Sequence, residues 1–239
     1  MIVTALGAFG ALAAGCAGAS DDDSLTVFAA ASLTDAFSEL GDAFEQTDAD
    51  VEVEFAFASS SDLARQVVEG APVAVYASAD TANMDKVIAA GAAAGTPVVF
   101  ATNSTEIIVA PGNPLGISGL DDLAARDLVV VVCAPEVPCG AYAEQVFERA
   151  GVDVTPDSFE ENVRGVVTKV TLGEADAGIV YGTDVLAADE RASGVEIPAD
   201  VNVVAAYPIV SLSGDGAADR FVEFAAGAFG QGVLASYGF

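Results

Sequence analysis

The chain has 239 residues, of which 53% are hydrophobic and 18% are charged, so it can bury one large core or two smaller ones and is not a disordered chain. Its 36 acidic and 8 basic side chains give a formal net charge of −28, which argues against nucleic acids and anionic membrane surfaces as partners. It contains no histidine, which excludes Ser–His and Cys–His catalysis and metal sites built with histidine.

The N-terminal stretch MIVTALGAFGALAAGCAGAS carries no charge and is too short and too rich in small residues for a membrane span. It fits the apolar core of an export signal. Its LAAGC segment resembles a bacterial lipobox, in which Cys16 becomes the lipidated first residue of the mature protein. We therefore predict that residues 1–24 are a signal and tether, and that the protein is exported, either lipid-anchored at the outer face of the cytoplasmic membrane or periplasmic. The alternative is an ordinary cleaved signal in which Cys16 is incidental.

Six alternating elements open the remaining chain. Strands are predicted at 25–31, 51–58 and 72–78, and helices at 33–46, 62–69 and 82–90. A β-α-β-α-β order is typical of an α/β fold with a mostly parallel sheet and helices on both faces.

A second series follows a long connection at 92–106. Its predicted strands are 106–111, 127–133, 177–182 and 201–210, and its predicted helices are 118–125, 141–150, 162–173, 183–188 and 217–236. The connection and the late strand are the expected crossings between two lobes. The first lobe is then discontinuous, 25–103 plus 206–239, and the second spans 104–205.

The segment VVCAPEVPCG contains Cys133 and Cys139. If Cys16 carries lipid, these two remain as a pair, and an oxidising compartment favours a disulfide between them. Pro135 and Pro138 would bend the segment and bring the thiols together. The alternative is two free thiols, one of them buried in a strand. A metal site is disfavoured because a third soft ligand is lacking.

Small polar residues follow several of the predicted strands. In open α/β sheets, ligands bind beyond the carboxyl ends of the strands, where the free N–H groups and dipoles of starting helices favour anions. Ser32 occupies the first such corner, where it can also be read as a helix cap with Asp35 completing a capping box. SSSDLA (59–64) occupies the second, and PCGAYA (138–143) the third, where Gly140 would let the backbone approach a ligand.

Two further segments complete the set. ENVRG (161–165) opens a helix, and Tyr181 ends an apolar strand where its hydroxyl can donate a hydrogen bond. We expect Arg164 to act at a hinge or to pair with a surface acid rather than to bind the anion. Taken singly, each of these segments has a simpler explanation in capping or core packing.

The segments FAAASLTDAF, FASSSDLARQ, PCGAYA, ENVRG and GIVYGTD resemble, in order and spacing, the periplasmic molybdate-binding proteins of bacterial ABC importers, over about residues 25–239. The resemblance implies a two-lobed periplasmic-binding-protein (Venus flytrap) fold that closes on one tetrahedral oxyanion. It implies molybdate or tungstate as ligand, an ABC transporter permease as partner, a monomer, and neither a cofactor nor enzymatic activity.

The resemblance also implies which residues bind the anion. Ser32 and Ser60 would donate through hydroxyl and backbone N–H groups, Cys139 and Val163 through backbone N–H groups, and Tyr181 through its hydroxyl.

Three alternatives remain open from sequence. The ligand could be another oxyanion or a small organic anion, with Arg65 or Arg164 supplying a guanidinium. The protein could be a hydrolase with Ser32 or Cys139 as nucleophile, in which case Lys169 is the nearest candidate base. It could also be a surface lipoprotein without a ligand.

Overall fold

The computed structural model describes residues 24–125 and 127–239. The predicted signal and tether, up to residue 23 and including Cys16, lie outside the described residues. Within the described ranges, no helix combines the length and the apolar character needed to cross a bilayer.

Strands and helices alternate along the described chain, with short 3₁₀ turns at Ala31–Leu33, Leu120–Ala124 and Asp189–Arg191. The strands are β1 (Ser24–Ala30), β2 (Glu52–Ala58), β3 (Val75–Ala77), β4 (Val98–Val109), β5 (Val130–Cys133), β6 (Ser158–Glu160), β7 (Ala177–Tyr181), β8 (Ser193–Glu196) and β9 (Val204–Ser211). The helices are α1 (Thr34–Thr47), α2 (Ser60–Val68), α3 (Thr81–Ala89), α4 (Pro138–Ala150), α5 (Val163–Thr171), α6 (Gly182–Ala188), α7 (Gly216–Ala226) and α8 (Ala228–Ser236).

The strands form one hydrogen-bonded path in the order β2-β1-β3-β9-β4-β7-β5-β6, with β8 added beside β4. The β1, β2 and β3 strands are parallel at one end, and β5, β6 and β7 are parallel at the other. Strands β4 and β9 join the two ends through antiparallel pairs. The predicted α/β architecture with parallel strands and flanking helices is therefore confirmed, and its centre is an antiparallel ribbon.

The largest difference from the sequence prediction concerns β4. Residues 98–105 were assigned to a connection, and that assignment is wrong, because they form the first part of a twelve-residue strand. The strand pairs with β9 from Val98 to Ser104 and then with β7 from Thr105 onward. The predicted lobe boundaries, 103/104 and 205/206, thus fall inside β4 and β9.

The closing helix predicted at 217–236 is also wrong in one respect, since it is two helices. Gly227 separates α7 from α8 in an extended conformation, with φ −77° and ψ 177°. A Cβ atom at Gly227 would lie 2.8 Å from the carbonyl oxygen of Glu223. The break therefore depends on glycine and lets the two helices pack separately.

A cluster of phenylalanines anchors α1 on the sheet. Phe37 and Phe44, from the predicted apolar face of α1, are 0% and 2% exposed. Phe44 and Phe37 lie edge-on to Phe221 of α7, with ring centroids 5.3 and 6.1 Å away, and Phe37 also packs against Phe55 of β2. Such pairs contribute about 0.5–1.5 kcal/mol each beyond area burial. They fix the start of α1, and with it the turn that carries Ser32.

Candidate anion-binding site

A small cavity of about 20 Å³ lies where β1, β2 and β7 end and where α2, α4 and α5 begin. The five residues that the resemblance singled out come from segments up to 149 positions apart in sequence, and all of them line it. Its lining consists of Ala30, Ala31, Ser32, Ala58, Ser59, Ser60, Ala79, Pro138, Cys139, Asn162, Val163 and Tyr181.

The lining contains hydroxyls, one amide and small apolar groups, but no charged side chain among the described residues. Ser59 and Asn162 cap the helices beside them, accepting from the N–H groups of Asp62 at 3.2 Å and of Gly165 at 3.3 Å. Each cap satisfies one N–H group in the first turn of its helix. The other backbone N–H groups at the start of a helix have no partner within that helix. Cys139 of α4 and Val163 of α5 hold such positions, so the cavity faces positive helix ends.

Tyr181 provides the clearest sign of a ligand. Its side chain is 1% exposed, and its hydroxyl lacks a hydrogen-bond partner in the part of the chain that the structure describes. Burial raises the pKa of Tyr181 well above its usual value, so the group keeps its proton and remains a donor. Leaving a buried donor unpaired costs about 1–3 kcal/mol, and such groups in native proteins call for an explanation.

The hydroxyl oxygens of Ser32 and Ser60 each have a hydrogen-bond partner in the protein, and these contacts do not fix where the hydroxyl hydrogens point. Ser32 Oγ lies 2.9 Å from the hydroxyl oxygen of Tyr207. Ser60 Oγ accepts from the N–H of Ala79 at 2.9 Å. The reading of Ser32 as a helix cap is wrong: it lies inside the 3₁₀ turn Ala31–Leu33, and neither this turn nor α1 has a side-chain cap.

Tyr207 is a participant that sequence reasoning missed. It lies in β9, is 0% exposed and packs edge-on against Tyr181, with ring centroids 6.0 Å apart. The segment AAYPIV offered a signal, since a tyrosine in a buried strand must find a partner for its hydroxyl. The sequence alone could not identify that partner, because Ser32 is 175 residues away along the chain.

The predicted disulfide between Cys133 and Cys139 is present, with an S–S distance of 2.06 Å. It joins the end of β5 to the first turn of α4, so Cys139 is not a free thiol and cannot act as a nucleophile. Gly140 has a different role from the predicted one. A Cβ there would lie 1.9 Å from the carbonyl oxygen of Ala134, so glycine is required for packing against the chain rather than for approach to a ligand.

The candidate cationic ligands Arg65 and Arg164 and the candidate base Lys169 lie outside the cavity. The guanidinium of Arg164 pairs with Asp35, which confirms the expected pairing with an acid, and the guanidinium of Arg65 pairs with Asp62 of its own helix at 2.7 Å. Lys169 pairs with Glu160. None of these three side chains is part of the cavity lining.

Asp184, in α6, is a buried acid directly behind Tyr181. Its Oδ2 accepts from the backbone N–H of Tyr181 at 3.2 Å. Burial raises the pKa of Asp184 to about 7, against the opposing effects of the Tyr181 N–H bond and of Arg164. The carboxyl therefore titrates in the neutral range while holding the backbone of Tyr181.

A family profile described as "Bacterial extracellular solute-binding protein" matches residues 25–239. This chain belongs to that family. The "Molybdate-binding protein ModA" of Mycobacterium tuberculosis is 43% identical over 219 residues, covering 90% of this chain and 84% of the relative. The protein of the same name from Escherichia coli K12 is 31% identical over 241 residues, covering 92% and 90%. The resemblance indicated by the sequence motifs is thereby confirmed.

Solved structures of periplasmic binding proteins share the fold. The periplasmic molybdate-binding protein of Azotobacter vinelandii has a TM-score of 0.78 at 21% identity, covering 90% of this chain and 97% of that one. The sulfate-binding protein SubI of M. tuberculosis has a TM-score of 0.80 at 19% identity, covering 90% and 86%. At these identities the likeness establishes the architecture only.

Proposed function

We propose that this solute-binding protein captures molybdate or tungstate outside the cytoplasm and delivers it to an ABC importer. The single observation that carries the proposal is the buried hydroxyl of Tyr181, which has no partner within residues 24–125 and 127–239 and lies at an uncharged cavity where helices begin. The names of its curated relatives point to molybdate among the possible anions.

In this proposal the anion is held by neutral donors. The hydroxyls of Ser32, Ser60 and Tyr181 and the backbone N–H groups of Cys139 and Val163 supply the hydrogen bonds. Helix ends add positive potential without a counterion, as in other anion sites at helix N-termini. Short hydrogen bonds in a small buried cavity are screened far less than the long-range repulsion from the net charge of −28.

Capture and release involve two lobes, residues 25–103 plus 206–239 and residues 104–205, that rotate about β4 and β9. Support comes from the site itself, because Ser32 and Ser60 belong to the first lobe and Cys139, Val163 and Tyr181 to the second. The closed, monomeric form docks on the permease, and lipidation at Cys16 keeps it near the membrane.

The alternatives fit the cavity less well. An organic anion with a carboxylate favours an arginine in its pocket, and Arg65 and Arg164 are both paired with acids elsewhere. A hydrolase would need a base beside its nucleophile, whereas Ser32 contacts a tyrosine and Cys139 is in a disulfide. We therefore assign binding without catalysis and without a cofactor.

A thermal-shift panel with molybdate, tungstate, sulfate and phosphate tests the proposal. An anion present at 1,000 times its dissociation constant adds about 4 kcal/mol to the free energy of unfolding. Molybdate and tungstate should raise the melting temperature at micromolar concentration, whereas sulfate and phosphate should not. A shift with sulfate or phosphate alone would assign the site to another oxyanion, and no shift with any of the four would reject an oxyanion receptor.

A further inference from the structure

We infer that Tyr207 is a positioning residue for anion selectivity, because its hydroxyl fixes the hydroxyl of Ser32 as a donor toward the ligand. The inference rests on the proposed function of the cavity and extends it to a residue outside the cavity lining.

The direction of the hydrogen bond between Tyr207 and Ser32 follows from the partners that are present. The hydroxyl oxygen of Tyr207 lies 2.9 Å from Ser32 Oγ, and the amide of Asn103 is a second neighbour that acts on this oxygen as a hydrogen-bond donor. The oxygen of that amide accepts from the N–H of Ser104 at 3.0 Å, and its nitrogen also donates to Thr183 Oγ1 at 2.8 Å, so Ser32 is the acceptor left for the Tyr207 hydrogen. If Tyr207 did not donate to Ser32, its buried hydrogen would be unpaired, which is unfavourable. Tyr207 therefore donates and Ser32 accepts.

The hydrogen of the Ser32 hydroxyl is then left for the ligand. Ser32 Oγ makes no second hydrogen bond among residues 24–125 and 127–239, so an anion is the remaining acceptor. Ser60 is arranged in the same way, since its oxygen accepts from the Ala79 N–H and its hydrogen stays available. With the unpaired hydroxyl of Tyr181, the cavity presents three hydroxyl hydrogens.

Such a site discriminates by protonation state. A fully deprotonated dianion such as molybdate can accept every hydrogen bond, whereas hydrogen phosphate carries a hydrogen that needs an acceptor. Ser32 Oγ has two lone pairs, but while Tyr207 donates to one of them the Ser32 hydrogen points to the anion, so Ser32 meets the anion as a donor. The Tyr207 hydroxyl thus acts on selectivity through Ser32, without touching the anion itself.

The substitution Tyr207→Phe isolates this effect. It keeps the ring, which packs edge-on against Tyr181 at 6.0 Å and against Phe239 at 5.4 Å, and removes only the hydroxyl. Without its donor, Ser32 can rotate and accept from a protonated anion. We expect affinity for molybdate to fall about tenfold, because Ser32 is no longer held as a donor to the charged anion. Affinity for phosphate should hold or rise, so that the ratio of the two affinities falls at least tenfold.

A double-mutant cycle tests whether Tyr207 acts through Ser32. Molybdate affinity is measured by calorimetry, and phosphate affinity by competition, for wild type, Ser32→Ala, Tyr207→Phe and the double variant. We expect Tyr207→Phe to have no further effect on either affinity in the Ser32→Ala background. Tyr237→Phe serves as the matched control, because it removes a hydroxyl that bonds Glu39 at the surface, at 2.9 Å.

Additive effects of the two substitutions, or an unchanged affinity ratio in Tyr207→Phe, would overturn the inference. Melting curves of all variants show that each is folded. If wild-type protein itself fails to bind molybdate, the proposed function fails instead, and the two outcomes are therefore distinct.

Discussion

The guanidinium of Arg164 forms an ion pair with the carboxylate of Asp35, and its Nε donates to the carbonyl oxygen of Ala31 at 3.3 Å. Arg164 follows Val163 in α5, whereas Ala31 and Asp35 flank Ser32. These contacts therefore join two segments of the cavity lining that lie more than 120 residues apart in sequence. In the proposed mechanism these contacts stabilise the closed form, in which the two lobes enclose the anion.

We predict that Arg164→Ala speeds dissociation of molybdate and lowers its affinity by about 1.5- to fivefold. The effect is modest because the two side chains are 34% and 45% exposed, and exposed ion pairs contribute about 0.2–1 kcal/mol. Stopped-flow displacement by excess tungstate measures the rate. Arg65→Ala is the matched control, since its pair with Asp62 stays within α2. Equal rates in the two variants would show that the contacts of Arg164 do not stabilise the closed form. Complete loss of binding in Arg164→Ala would indicate direct contact with the anion.

The substitution Tyr181→Phe should separate binding from stability. Removing a buried hydroxyl that has no partner in the described part of the chain should raise the stability of the ligand-free protein by about 1 kcal/mol, while affinity for molybdate falls about 10- to 100-fold. Tyr76→Phe is the contrasting variant, because its hydroxyl donates to the carbonyl of Ser60 at 2.9 Å and its loss should lower the melting temperature. Calorimetry and thermal melts of both variants provide the check. A less stable Tyr181→Phe protein would mean that the hydroxyl has a partner in solution.

The disulfide should contribute to stability and also to binding. The bridged residues are six positions apart, and a loop that short contributes roughly 2 kcal/mol in the chain-entropy estimate. The double variant Cys133→Ala/Cys139→Ala keeps the backbone N–H of residue 139 but loses the constraint on the first turn of α4. We expect a several-fold weaker affinity for molybdate and a lower melting temperature. Unchanged affinity would show that the bridge does not position this donor.

Asp184 should make stability depend on pH in the neutral range. Its pKa is raised from 3.8 to about 7 in the folded protein. Between these values the folded state binds more protons than the unfolded state, so this group's contribution to stability falls as pH rises from about 4 to 7 and is constant above. The slope approaches about 1.4 kcal/mol per pH unit.

The variant Asp184→Asn isolates this contribution from those of the other acids, because its amide oxygen can still accept from the N–H of Tyr181. The melting temperature of the variant relative to wild type should increase between pH 5 and pH 8. A constant difference across this range would contradict a raised pKa.

The local hydrophobic pattern of the sequence predicted those strands and helices that have a clear periodicity of their own. The first three strands and helices were placed within three residues of their observed ends, because buried β1 and the amphipathic helices have clear periodicity. The first part of β4 was missed because it contains the polar run TNST and leaves Val98 and Val99 44% and 54% exposed. It is a strand because β9, a hundred residues later, pairs with it. The edge strands β6 and β8 are only three and four residues long and partly exposed, so they carry little pattern.

In the candidate site, too, the features marked by local sequence motifs were predicted, and those that depend on distant contacts were not. Its five predicted residues stand in motifs at the ends of strands, and the structure brings them to one cavity. Tyr207 and the contact of Arg164 with Ala31 depend on pairings across the whole chain, for which a single sequence gives no signal. The unpaired hydroxyl of Tyr181 is likewise a property of the packed structure.

The ribbon formed by β4 and β9 has a consequence for how the cleft opens. The two strands pair with each other from Val98↔Ile209 to Ser104↔Val204. From Thr105 onward β4 pairs with β7, which belongs to the group of parallel strands at the other end of the sheet. In the proposed mechanism, the lobes rotate by twisting this ribbon, with its ladder hydrogen bonds kept intact. The ribbon amides, such as that of Ala205, should therefore resist exchange with deuterium equally in the ligand-free and ligand-bound protein. The first turns of α4 and α5 should gain protection when the anion binds.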